Sequence, residues 1–107
     1  MSLPLREPEP GPCRLLTIVC EAALEVTLLP ELEALGARGY TVTDARGKGS
    51  SGRRDATWGP HANIRIEVLC SGKTAAAICK VLRDRYDDNY SMVLFVADVE
   101  VLHPGKF

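Results

Sequence analysis

The chain has no apolar run long enough to cross a membrane, no C-x-x-C pair, two histidines and a single tryptophan in 107 residues. Without about 20 consecutive apolar residues a membrane-spanning helix is excluded. The segment after Met1 lacks the apolar core of a secretion signal, so the expected location is the cytoplasm. Cys13, Cys20, Cys70 and Cys79 are too far apart for a C-x-x-C metal or redox motif. Three of them lie in apolar runs, where cysteine behaves as a small hydrophobe. They are expected as reduced core residues, with Cys13 the candidate for exposure. His61 and His103 have no carboxylate or cysteine at ligand spacing, and no metal is expected. No serine, cysteine or carboxylate stands in a nucleophile arrangement, which disfavours an enzyme. A formal net charge of −1 denies the chain the broad basic surface on which general nucleic-acid binding rests.

What is present describes one globular domain. Hydrophobic residues at 46% and charged residues at 25% are ordinary for a soluble protein, and the length suffices for one core but not two. Pro4, Pro8, Pro10 and Pro12 with Glu7 and Glu9 mark residues 1–13 as a flexible tail. Arg14 to Cys20 is short, β-branched and apolar on both alternating faces, which predicts a central strand. From Glu21 to Arg38, Leu24, Leu28, Leu32 and Leu35 form a helical stripe that ends at Gly36 and Gly39. Pro30 leaves two starts open: Thr27 caps a helix whose first turn holds the proline, or the helix begins near Leu24 and is kinked. Tyr40 to Ala45 reads as the second strand. Ala62 to Cys70 alternates cleanly, with Ile64, Ile66 and Val68 toward the core and Asn63, Arg65 and Glu67 on a polar face. Ser71 is an N-cap for a second helix over Lys73 to Tyr86. Val93 to Leu102 is the last strand, and 104–107 a short C-terminal tail.

Between the second and third strands lies a glycine-rich, cationic connection, 46–61, far longer than the 2–5 residues of a hairpin loop. Arg46, Lys48, Arg53 and Arg54 stand against one carboxylate, Asp55, so the local sign points to an anionic partner. Gly47 and Gly49 bracket Lys48, which allows positive φ and a close approach of backbone N–H groups to an anion. A solvated connector with scattered charge fits this stretch equally well. Trp58 suits a protein-binding anchor or packing against a neighbouring subunit. Ser50, Ser51 and His61 are further candidate contacts for an anion or a partner.

The order strand, helix, strand, strand, helix, strand predicts an α+β, ferredoxin-like βαββαβ fold: a four-stranded antiparallel sheet with two helices on one face. The other face carries Val93, Phe95 and Val99, more apolar surface than a monomer shows to water, so an oligomer is expected. Ser71-Gly72-Lys73-Thr74 imitates the end of a phosphate-binding P-loop. The glycine required five residues before Gly72 is Glu67, inside a strand, and an N-cap is the better reading.

With that order in place, the chain resembles the PII signalling superfamily, most closely the PII-like branch associated with bacterial carbon concentration. Gly36-Ala37-Arg38-Gly39-Tyr40-Thr41-Val42 leading into Gly47-Lys48-Gly49-Ser50, and Val96-Ala97-Asp98-Val99-Glu100-Val101-Leu102 near the end, carry the resemblance, which covers about Leu15 to Leu102. It implies a homotrimer that binds an adenine nucleotide in clefts between subunits. The loop at 46–61 corresponds to the family's T-loop, which responds to ligand and docks on a target such as a bicarbonate transporter or a carboxysome-related protein. By position, Gly47, Lys48 and Gly49 form the loop base near the phosphates, and Arg46, Arg53 and Arg54 are phosphate-pairing candidates. Asn89, Tyr90 and Ser91 face the nucleotide from the segment before the last strand. Classical members have there a longer, glycine- and lysine-containing loop that grips triphosphate, and arginines near the end of the last strand. Here the segment is only Asp87-Asp88-Asn89-Tyr90-Ser91-Met92 and the strand ends Val101-Leu102-His103, which favours AMP, ADP or cyclic AMP over ATP. Bicarbonate is the natural second ligand of this branch. Two rival functions are a phosphate-handling hydrolase on the same fold, for which Cys20-Glu21-Ala22-Ala23 offers no glycine-rich cradle, and RNA binding, for which Phe95 is the single sheet aromatic.

Overall fold

The computed structural model describes residues 11–47, 62–86, 91–103, 105 and 107. Its elements follow the expected order: β1 (Gly11–Glu21), a 3-10 turn (Ala22–Leu24), α1 (Glu25–Ala34), β2 (Thr41–Ala45), β3 (Asn63–Cys70), α2 (Gly72–Tyr86) and β4 (Val93–Val101). The strands form one sheet in the order β2-β3-β1-β4, and every neighbouring pair is antiparallel. This is the ferredoxin-like arrangement. Alternation along β1 sends Leu16, Ile18 and Cys20 to one face, where they meet Ile66 and Val68 of β3, Leu28 and Leu32 of α1, and Ile78 and Leu82 of α2. All of these are fully buried.

The first strand begins earlier than its prolines suggested. Gly11, Pro12 and Cys13 pair with Val101, Glu100 and Val99, whereas pairing with β3 starts only at Arg14 opposite Cys70. Pro12 therefore sits beyond the end of β3, where β1 has a neighbour on one side only and a missing N–H is tolerated. Cys13 is consequently buried, at 6% exposure, and its thiol donates to the Cys70 carbonyl at 3.3 Å, so it is not the exposed cysteine. Cys79 is the half-buried one.

Of the two starts left open for the first helix, the earlier one occurs: a 3-10 turn leads into α1 and Pro30 lies inside the helix. The C-terminus of α1 is a Schellman cap. Ala37 N–H donates to the Leu32 carbonyl at 2.9 Å and Gly36 N–H to the Glu33 carbonyl at 3.1 Å, with Gly36 at φ 115°. A Cβ on Gly36 would also lie 3.1 Å from Thr74 Oγ1. At the other helix, Ser71 Oγ accepts from Thr74 N–H at 3.1 Å, which confirms the N-cap and assigns Ser71-Gly72-Lys73-Thr74 to helix initiation. An ion pair from Arg85 to Glu31 ties the two helices together.

Gly36→Ala is expected to lower stability by about 1–3 kcal/mol, because an L side chain must hold a left-handed φ and meet Thr74. Urea denaturation measures this, and a larger loss should appear in Gly36→Val, whose β-branched side chain tolerates positive φ less. Burial pushes the Cys70 thiol up from its ordinary range, and Cys13 and Cys79 act in the same direction. The unfolded chain therefore releases this proton first, so stability is full below about pH 8.5 and declines as pH rises above it. In Cys70→Ala that alkaline decline should be shallower when melting temperature is followed against pH.

Candidate functional site

The uncovered face of the sheet carries the candidate site, and antiparallel register places its residues in rows. One row runs Thr41, Glu67, Thr17 and Phe95 across β2, β3, β1 and β4; the next runs Thr43, Arg65, Val19 and Val93. The row after that holds Ala45, Asn63 and Glu21. Val93 and Phe95 are 45% and 46% exposed, so the apolar second face foreseen from the sequence is present and open.

Along β3 the residues on this face are polar from Asn63 to Glu67, with Leu69 following. Arg65 and Glu67 form an ion pair at 3.3 Å. Asn63 shares their face, as alternation predicts, but is only 3% exposed. Its Nδ2, like Thr17 Oγ1 in the middle of the face, finds no hydrogen-bond partner among the described residues. A buried donor without an acceptor costs about 1–3 kcal/mol, so an arriving acceptor gains from satisfying it.

At one end of this polar track, β2 finishes at Ala45 and gives way to Arg46 and Gly47, both exposed. Gly47 does not use a positive φ, since Gly36 is the only described residue that does, and a Cβ on Gly47 would meet nothing within 4 Å. Its openness, rather than a left-handed turn, is what it offers. Ser91 is half-buried two residues before β4. Continued register would set it level with Glu21 and Asn63, at the same end of the sheet as Arg46. The two positions nonetheless lie along opposite edge strands, three strand spacings or about 14 Å apart, so one subunit does not bring them into contact. Lys48, Gly49, Ser50, Ser51, Arg53, Arg54, Trp58, His61, Asn89 and Tyr90 lie outside the described residues.

At the other end of the track is a pocket of about 440 Å³ lined by Leu15, Gly39, Tyr40, Thr41, Glu67, Leu69 and Phe107. It is mostly apolar, with the Glu67 carboxylate and the hydroxyl residues Tyr40 and Thr41 at its wall, the usual balance of a small-molecule site. Sequence reading missed it. Thr41 and Glu67 are directly opposed on β2 and β3, a pairing that periodicity does not give, and Phe107 arrives from a stretch read as a tail. Among the described residues no group of three or more histidine, cysteine or acidic side chains could hold a metal ion.

This architecture matches known proteins. The family model described as nitrogen regulatory protein P-II matches residues 13–106, so the chain belongs to the PII family of signalling proteins. Its fold is similar to that of a PII-like signalling protein from Thermus thermophilus, at 39% identity over 92% of this chain and 98% of that one, with a TM-score of 0.80. It is also similar to CPII from Thiomonas intermedia, a nitrogen regulatory PII-like protein solved with ADP, AMP and bicarbonate: 26% identity, 94% and 97% coverage, TM-score 0.83. A second CPII structure, bound to ADP and bicarbonate, gives 27% identity, 94% and 98% coverage, and a TM-score of 0.82.

Proposed function

We propose that this chain is the subunit of a homotrimeric, non-enzymatic PII-like signalling protein that binds AMP or ADP, with bicarbonate as second ligand. Its output is the loop at 46–61, which docks on a protein target in inorganic-carbon uptake or fixation, such as a bicarbonate transporter or a carboxysome-related protein. The observation that carries this reading is the similarity over 94% of the chain to CPII, a protein that holds these ligands.

The geometry supports it at three points. The open apolar face needs a cover, and packing against identical faces provides one. The pocket beside Tyr40 takes the base, while Arg46 and the Gly47 backbone take phosphate oxygens. They are one strand length apart, about 17 Å of extended chain, which the nucleotide and the arginine side chain cover together. Finally, Ser91 reaches the ligand from a neighbouring subunit, since within one subunit it lies too far from Arg46. The unpaired Asn63 amide beside the loop root is a donor for a small oxyanion. Ligand that touches Arg46 and Gly47 favours the loop conformation compatible with it, and this difference in affinity between loop states is the signal.

Calorimetric titration with AMP and ADP, with and without bicarbonate, is the test. Saturable binding without product formation is expected. Arg46→Ala should weaken it about tenfold or more, as loss of a charge-assisted hydrogen bond does. Steady release of phosphate would instead support a hydrolase on the same fold, and absence of binding across the panel would remove the nucleotide reading.

A further inference from the structure

Phe107 stands out because it lies six residues beyond the end of β4 yet helps to wall the pocket that Tyr40 lines just before β2. Aromatic residues make up 6% of the chain. Of those among the described residues, Tyr86 belongs to the core and Phe95 to the open sheet face; the other two, Tyr40 and Phe107, line this one pocket. Both residues are 38% exposed, so each keeps surface open to the pocket. The segment after β4 is held in place by Arg38, whose Nη1 donates to the Gly105 carbonyl at 3.3 Å. Arg38 lies two residues before Tyr40, directly after the Schellman cap of α1, so one short stretch both supplies the first ring and anchors the segment that brings the second.

We propose that Phe107 is a base-contacting residue: its ring forms an aromatic wall for the flat heterocycle of a nucleotide in this pocket, with Arg38 as the positioning residue. The inference rests on the nucleotide reading above and adds to it a contact from the segment after β4. Leu15 and Leu69 supply apolar surface for the heterocycle, and the Glu67 carboxylate is an acceptor for a ring amine. Stacking on an aromatic ring tolerates any base, so Phe107 sets affinity for the base as such, while Glu67 supplies the discrimination.

The full-length protein and its Phe107→Ala, Phe107→Trp and Arg38→Ala variants are titrated with AMP and with ribose 5-phosphate, a probe that lacks the base. Phe107→Ala is expected to weaken AMP about fivefold or more and to leave ribose 5-phosphate unchanged. Phe107→Trp should retain AMP affinity, and Arg38→Ala should show a smaller loss, again confined to AMP. Unchanged or tighter AMP binding in Phe107→Ala, or an equal loss for the two probes, would overturn the inference while leaving the nucleotide reading intact. If the unmodified protein binds neither AMP nor ADP, both fall together.

Discussion

Strand β1 is hydrogen-bonded along both edges, to β3 and to β4, and buries only one of its two faces under helices. The rest of the molecule follows from that asymmetry. Leu16, Ile18 and Cys20 reach full burial because α1 and α2 close over them. Leu15 and Val19 on the other side remain half-buried, next to Val93 and Phe95 that are open. A sheet with one dry and one exposed apolar face is stable as part of an assembly, and the exposed face also carries the polar residues of β3 and the pocket. In the proposed reading, assembly and ligand binding share this surface.

That shared surface explains the division of the site. Arg46 and Gly47 leave β2 at one edge of the sheet, Ser91 precedes β4 at the other, and the intervening strands keep them apart within a subunit. A ligand that needs both must sit where two copies meet. The buried, unpaired donor of Asn63 and the ion pair of Arg65 with Glu67 lie between the loop root and the Tyr40 pocket, so the track joining these ends is polar, while Val93 and Phe95 on β4 are apolar.

Much of this was legible from residue patterns, and the exceptions have physical causes. Helix and strand identities followed from periodicity, and the open apolar face from counting apolar residues on both sides of the sheet. Ser71 was readable as a cap because the chemistry is local, three residues apart. Cys13 was misplaced because the prolines hid the start of β1, whereas Pro12 is harmless on a side of the strand with no neighbour. Asn63 obeys the alternation that predicts its face, yet alternation says nothing of burial at the foot of a long loop. The loop's charge was legible, but the pocket was not: it is assembled from β1, β2, β3 and a segment after β4, and no window of sequence contains it. The family resemblance supplied what periodicity could not, namely the expectation of a nucleotide in a cleft between subunits.

The most direct test of the central claim, that a nucleotide spans the pocket and the loop root at a junction between subunits, is a crystal structure of the protein grown with ADP. The account predicts a trimer with the base against Tyr40, Thr41 and Leu69 and the phosphates at Arg46 and Gly47, approached by Ser91 of an adjacent subunit. ADP lodged elsewhere on the molecule, or a monomer whose uncovered sheet face stays bare, would contradict it.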